Sequence, residues 1–418
     1  MARRTLEYAC GVVLVGLLAG VAGAATTLLL HFVEHLTYHY SFGTLLGGVG
    51  GSSPVRRALG PMIGGVLAGL GWWMLRRRAE VPSLTETIEK HRPIPRWRMS
   101  LDAGLQVLLV GSGASLGREG APRQLAAALG DLGTSRWALT ARDREILLAC
   151  AAGAGLGAVY SVPLGGALFA VRIVLRTWHP RAVGTALITS SLAVAVSAPV
   201  THLEHLLAWP DPSLSYLFVG LALVIAPLSV VIGFGFDKLM KLARPKPQIS
   251  SWTLIPTIAI AGLAIGIASI WWPELPGNGR SILTVSINAG LTLGGAAVIL
   301  LLKPLLTALF LRAGAVGGMI TPALATGAAA GSVATLALNH LAGTHIEVAA
   351  ASLTCAAGVL AITQRAPAFA ALFVWELARP PYWLLIVFLV AAFAAHGLRW
   401  LREQHWAERS DVAASKEA

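Results

Sequence analysis

The stretch Gly117-Arg118-Glu119-Gly120-Ala121-Pro122 decides how this chain is read. It lies between the apolar runs 105–116 and 125–129, so it brings an arginine and an acid to a depth where a membrane chain normally admits neither. Transfer of a charged side chain into hydrocarbon is costly, and an ionisable residue there is a functional residue by default. The flanking glycines free the backbone to break a helix and to aim unpaired N–H groups at a polar ligand. An anion is the ligand such a break suits.

The rest of the chain supports a membrane setting. Of 418 residues, 56% are hydrophobic and 12% charged, and the mean hydropathy of +0.69 excludes a soluble globular domain. Met1-Ala2-Arg3-Arg4 precedes an apolar stretch, Ala9 to Leu30, that is too long for a signal peptide and lacks a cleavage site, so it reads as a retained first membrane helix. Cys10, Cys150 and Cys355 lie far apart in apolar segments and form neither a disulfide framework nor a metal site. The net charge of +12 does not indicate a nucleic-acid partner, because the basic residues are scattered over loops. They mark topology instead. Arg76 to Arg98, Arg142 and Arg144, Arg176 and Arg181, Lys238 to Lys246, and Arg399 with Arg402 are expected on the cytoplasmic side of a cell membrane, with both termini inside. Arg56-Arg57 fits that pattern poorly.

Several apolar stretches are shorter than the roughly 20 residues a helix needs to cross a bilayer. Tilted, partial or re-entrant helices are therefore expected, with their irregular ends buried inside the protein. Glycine runs such as Gly153 to Gly157 read as close helix packing. A second break, Gly314 to Pro322, stands in the second half, and paired interruptions in two halves point to inverted repeats around a binding site at the midplane. The expected organisation is a first membrane half (1–236), a basic cytoplasmic linker (237–251), a second membrane half (252–401) and a polar tail (402–418).

Each break opens a helix whose N-terminus offers free amides and about half a positive charge. Amides suit conduction better than a lysine or arginine side chain, since an ion must leave as easily as it enters. The Glu119 carboxylate is itself an anion, so it would occupy such a site and swing away when protonated or displaced. A reading from another class makes Glu119 the general acid or base of an intramembrane enzyme. That chemistry needs a second converging group, and no His with a Ser or Cys nucleophile is identifiable near it in the sequence.

The residues resemble the CLC family of chloride channels and proton-coupled chloride transporters. Gly117 to Pro122 is similar to that family's GREGP segment, with an alanine inserted before the proline or substituted for it, and Gly317-Gly318-Met319-Ile320-Thr321-Pro322 is similar to its GGxFxP segment, with Ile320 in the phenylalanine position. Lys303, Thr307, Gly327, Gly331, the run Pro163 to Phe169, and Arg365-Ala366-Pro367 leading to Glu376 extend the likeness over nearly the whole chain. The resemblance implies an all-α polytopic fold of two inverted halves and a homodimer with one anion path per subunit. It implies an outer gate at Glu119, an outer anion site on the amides of Arg118, Glu119 and Gly120, a central site on those of Met319 and Ile320, and no cofactor. Beyond its amide, the Arg118 side chain either attracts anions at long range or caps nearby carbonyls. Glu376 is expected to be structural.

Three departures follow from the same comparison. The family's serine motif is represented by Ala79-Glu80-Val81-Pro82-Ser83, with Ala79 in the serine position and Ser83 able to replace it only through a rearranged backbone. The inner proton-transfer glutamate is replaced by Ile173, and no Asp or Glu occurs from Ile146 to Leu203, which favours channel-like or uncoupled transport over proton-coupled antiport. The tyrosine of the last helix has no clear counterpart, Tyr382 being too early and Trp400 unsupported, and cytoplasmic regulatory domains are not expected. No positive signature for fluoride export is present. Asp102 reads as an interfacial residue. His31 and His35, spaced i, i+4 around Glu34, read as interfacial too, and His202, His205 and His396 form no ligand set.

Overall fold

The computed structural model describes residues 2–41, 43–201, 209, 217–288 and 290–417; His202 and His205 lie outside them. Among the described residues the chain is helical, with no β-strand. The first half comprises α1 (Ala2–Tyr38), α2 (Leu45–Gly51), α3 (Pro54–Arg76), α4 (Leu84–Glu89), α5 (Arg96–Gly111), α6 (Gly120–Thr134), α7 (Ala141–Tyr160), α8 (Pro163–Leu168), α9 (Pro180–Thr201) and α10 (Leu217–Ala243). The second comprises α11 (Leu254–Trp271), α12 (Arg280–Ile287), α13 (Leu293–Arg312), α14 (Ile320–Ala342), α15 (Val348–Gln364), α16 (Pro367–Ala378) and α17 (Leu384–Glu417). Among the described residues, eight helices are long and apolar enough to span a bilayer, while α15 and α16 are apolar but shorter.

Local chemistry sets many boundaries. Ser53, Thr140 and Thr292 cap α3, α7 and α13 by accepting from the amides of Arg56, Asp143 and Gly295. Pro163 and Pro367 open α8 and α16, where a missing N–H does no harm. The Phe169–Val174 segment that follows α8 is a π-helical turn.

The two glycine breaks fold in the same way. After α5, the amides of Gly113 and Ala114 donate to Val110 and Leu109; after α13, those of Gly314 and Ala315 donate to Leu311 and Phe310. Both are Schellman caps, and both glycines adopt positive φ (+114° and +92°), which a side chain would disfavour. Four residues beyond each cap, Gly117 and Gly318 pair antiparallel through reciprocal amide bonds of 2.8 and 2.9 Å. Positions 113 and 117 thus correspond to 314 and 318, a constant offset of 201 residues. In that register Ala121 stands opposite Pro322, so the alanine is substituted for the proline rather than inserted before it.

A second pair of related helices crosses nearby. A Cβ on Gly65 or Gly69 of α3 would come within 2.6 or 2.8 Å of the α11 backbone, and one on Gly262 or Gly266 of α11 within 2.2 or 2.6 Å of the α3 backbone. The two small-residue pairs, each at i, i+4, let the backbones touch. The interior is built from α7, α14 and α15: 78% of the most apolar window of α14 is buried, against 28% for α10. Glycines of the 153–157 run meet Gly166, Ser190 and Pro122 in close packing, as expected.

α10 runs on to Ala243, into the basic stretch 237–251, and α17 runs on to Glu417, through most of the polar stretch 402–418. One expectation is corrected. Asp102 is buried, accepting from Trp72 Nε1 and Gln106 Nε2 at 2.8 Å each, because α3 supplies an indole donor that sequence spacing does not reveal. The discordant Arg56-Arg57 pair caps helix C-termini: Arg56 donates to Leu36 and Thr37 at the end of α1, and Arg57 to Gly50, Ser269 and Ile270 at the ends of α2 and α11.

Candidate anion site

Glu119 is the last residue before α6, and the capping geometry of both breaks brings it against the opposite half of the molecule. Its fully buried carboxylate does not rest on the amides of its own helix. Oε1 accepts from the Ile320 amide at 2.5 Å and more weakly from Thr321 N at 3.4 Å, while Oε2 accepts from Thr321 Oγ1 and from the Tyr160 hydroxyl, both at 3.2 Å. The carboxyl group is thus held at the N-terminus of α14, where unpaired amides and the helix dipole favour negative charge. The expected outer position on Arg118, Glu119 and Gly120 is not where the carboxylate lies. Glu119 is the N-cap residue of α6 but makes no side-chain bond there, and the α14 end supplies it with two amides and a hydroxyl instead.

Gly117 and Gly318 leave room for it. A Cβ on Gly318 would stand 2.1 Å from Glu119 Cδ, and one on Gly117 2.2 Å from Oε2. Gly317 packs on Leu116, and Gly120 faces Gln106, each too closely for a side chain. Met319 is the N-cap residue of α14, adjoining the seat, and Pro122 and Pro322 lie in the first turns of their helices. Ser115 Oγ and Thr307 Oγ1 are bonded at 3.0 Å, and Lys303 Nζ donates to the carbonyls of Leu275 and Gly277 at 3.0 and 2.7 Å, which ties the first break and the loop before α12 to α13.

Arg118 turns away from the carboxylate. Its Nη2 donates to the Val159 carbonyl at 3.2 Å and its guanidinium lies 5.0 Å over the Tyr160 ring. That bond caps a carbonyl at the end of α7. Glu376 accepts from the amides of Leu164 and Gly165 at 2.9 and 2.6 Å and so caps α8 from α16.

Tyr160 is the residue that sequence reasoning missed. It closes α7, its ring meets Phe373 edge-on at 5.6 Å, and its hydroxyl reaches the seat. The available signal was a lone tyrosine ending the apolar run from Ile146, just before Ser161-Val162-Pro163. Tyr382, by contrast, is 85% exposed. Ile173 sits in the π-helical turn and packs against the apolar core. Below Gly317 and Gly318 lies a cavity of about 340 Å³ whose wall includes Ser83 at the N-terminus of α4. His31 and His35 stack with ring centroids 6.3 Å apart, and no group of three or more metal-ligating side chains occurs among the described residues.

Residues 64–399 match the family model for the voltage gated chloride channel. The chain is 30% identical over 391 residues to the voltage-gated ClC-type chloride channel ClcB of Escherichia coli O17:K52:H18, a match that covers 91% of this chain and 93% of that protein. ClcB of Escherichia coli strain SMS-3-5 matches to the same extent. Among solved structures, a slow cyanobacterial Cl⁻/H⁺ antiporter superposes with a TM-score of 0.75 at 21% identity, covering 97% of this chain and 99% of that one. A CLC-type fluoride/proton antiporter superposes with a TM-score of 0.65 at 20% identity, covering 94% and 95%. These structural likenesses extend to the fold: two inverted halves of tilted and partial helices.

Proposed function

This chain belongs to the voltage-gated chloride channel family, and from that premise we propose that it carries chloride or a similar small anion across a bilayer along a path lined by helix N-termini. Family membership sets aside the intramembrane-enzyme reading of Glu119. The observation that carries the proposal is the seat of the Glu119 carboxylate on the Ile320 and Thr321 amides. A tethered anion there stands in for the travelling one. The carboxylate blocks the path while it is seated, and protonation or competition by an external anion releases it.

The same donors then serve the ion. With Ala79 in the serine position, the hydroxyls at this point of the path come from Thr321 and Tyr160. Amides and hydroxyls carry only partial charges, so the ion is held without being trapped. The absence of an acid from Ile146 to Leu203, with Ile173 in the glutamate's place, favours channel-like or uncoupled transport. Proton-coupled antiport is the alternative, as in the antiporters of similar fold. The protein works as a homodimer in the cell membrane with its basic loops and both termini inside.

Reversal potentials of purified protein in bilayers under opposed chloride and pH gradients test this reading. Uncoupled anion transport gives a potential that follows the chloride gradient alone. A potential that moves with the pH gradient overturns the uncoupled reading in favour of exchange, and no chloride current or uptake overturns anion transport itself.

A further inference from the structure

Lys303 is a fully buried lysine in α13, and among the described residues no carboxylate pairs with it. Burying an amine is costly, and a methionine would fill the same slot without that cost, so what the lysine contributes is the direction of its bonds. Nζ donates to the carbonyls of Leu275 and Gly277 at 3.0 and 2.7 Å, both in the connection from α11 to α12. The anchor is itself fixed, because the Lys303 carbonyl accepts from the hydroxyls of Thr307 and Ser115 at 3.0 and 3.4 Å.

The connection it holds is wedged against the seat. The Gly277 amide donates to the Gly113 carbonyl of the first break at 3.0 Å. A Cβ on Gly279 would stand 2.7 Å from Ala325 Cβ and 3.4 Å from both Lys303 Cε and the Thr321 carbonyl, so the chain lies flat between Lys303 and the first turns of α14. Asn278 is buried; its Oδ1 accepts from the Arg280 amide at 3.2 Å, and its side chain is a hydrogen-bonding neighbour of the Tyr160 hydroxyl. We infer that Lys303 is a positioning residue for anion passage: its two bonds hold the connection 275–279 in place, and through Asn278 that connection aims the Tyr160 hydroxyl into the seat. The assignment rests on reading the seat as a point on the anion path. The role needs two N–H donors and no net charge, so it places no full cation beside an ion that must leave.

The test uses the full-length protein in proteoliposomes, in the Glu119→Ala background where the seat is cleared. Lys303→Met should raise the half-saturating chloride concentration about threefold to tenfold, with maximal flux kept within about twofold of the background. Gly279→Ala, which pushes the same connection off α14, should do likewise. The decisive comparison is with Tyr160→Phe. If Lys303 acts through the hydroxyl, adding Lys303→Met to Tyr160→Phe should weaken half-saturation by less than about twofold more, because no hydroxyl is left to misplace. Crystals of the single variant Lys303→Met should show the connection displaced from α13 and the Tyr160 oxygen moved from its place at the seat. Unchanged half-saturation, effects of Lys303→Met and Tyr160→Phe that multiply in full, or an unmoved Tyr160 oxygen overturns the inference. If the Glu119→Ala protein carries no chloride, the transport reading fails, and the place of the Tyr160 oxygen in the crystals still decides whether Lys303 positions it.

Discussion

Adding one methyl group at Gly318 separates a seat from a mere contact. In Gly318→Ala the new Cβ would stand 2.1 Å from Glu119 Cδ and 2.3 Å from Oε1, where ordinary contact begins near 3.4 Å, a shortfall of about 1.3 Å. The backbone cannot easily retreat, because Gly318 exchanges bonds of 2.8 and 2.9 Å with Gly117. Where Glu119 is kept, its carboxylate must leave. It then gives up the Ile320 amide and the two hydroxyls, at about 1.5–3 kcal/mol for each bond to a charged group, or roughly 4.5–6 kcal/mol with the two longer bonds taken at the low end. The methyl also fills the space an ion would take. Chloride efflux from proteoliposomes should therefore rise in Glu119→Ala, where the seat is cleared, and fall at least tenfold from that level in the Glu119→Ala/Gly318→Ala double variant. A folded double variant that conducts like Glu119→Ala would refute the claim that ions pass through the seat.

Three further outcomes are expected. In the Glu119→Ala background, Tyr160→Phe removes one donor from the ion and should weaken half-saturation by chloride roughly 5- to 30-fold, for about 1–2 kcal/mol lost; an unchanged value in concentration-dependent flux would remove Tyr160 from the path. Glu376→Gln loses the charged cap on α8 and should lower stability by about 1 kcal/mol, seen as a reduced Tm in detergent, with anion selectivity unaltered. Gly262→Leu forces α11 off the α3 backbone, which its Cβ would approach to 2.2 Å, and should abolish the monodisperse species in size-exclusion chromatography.

The architecture was legible because a bilayer restricts it. Apolar length, two glycine breaks and one misplaced acid suffice to call for partial helices meeting inside the protein, and the pairing of Gly117 with Gly318 is the form that meeting takes. What remained hidden is long-range. Glu119 immediately precedes α6 in sequence but binds α14, 201 residues further on, and Tyr160 reaches it from the end of α7. No local pattern encodes either contact. Asp102 illustrates the same limit, since only the folded chain brings the Trp72 indole to it. The repeat offset, by contrast, was present in the numbering of the glycines, and it is this that assigns Ala121 to the position of Pro322.

Crystals of Glu119→Ala grown with bromide put the seat itself to the test. If the carboxylate holds the place of a travelling anion, anomalous density should appear within hydrogen-bond distance of the Ile320 and Thr321 amides and be missing there in the parent protein. An empty seat in the variant, with bromide bound only elsewhere, would contradict that account.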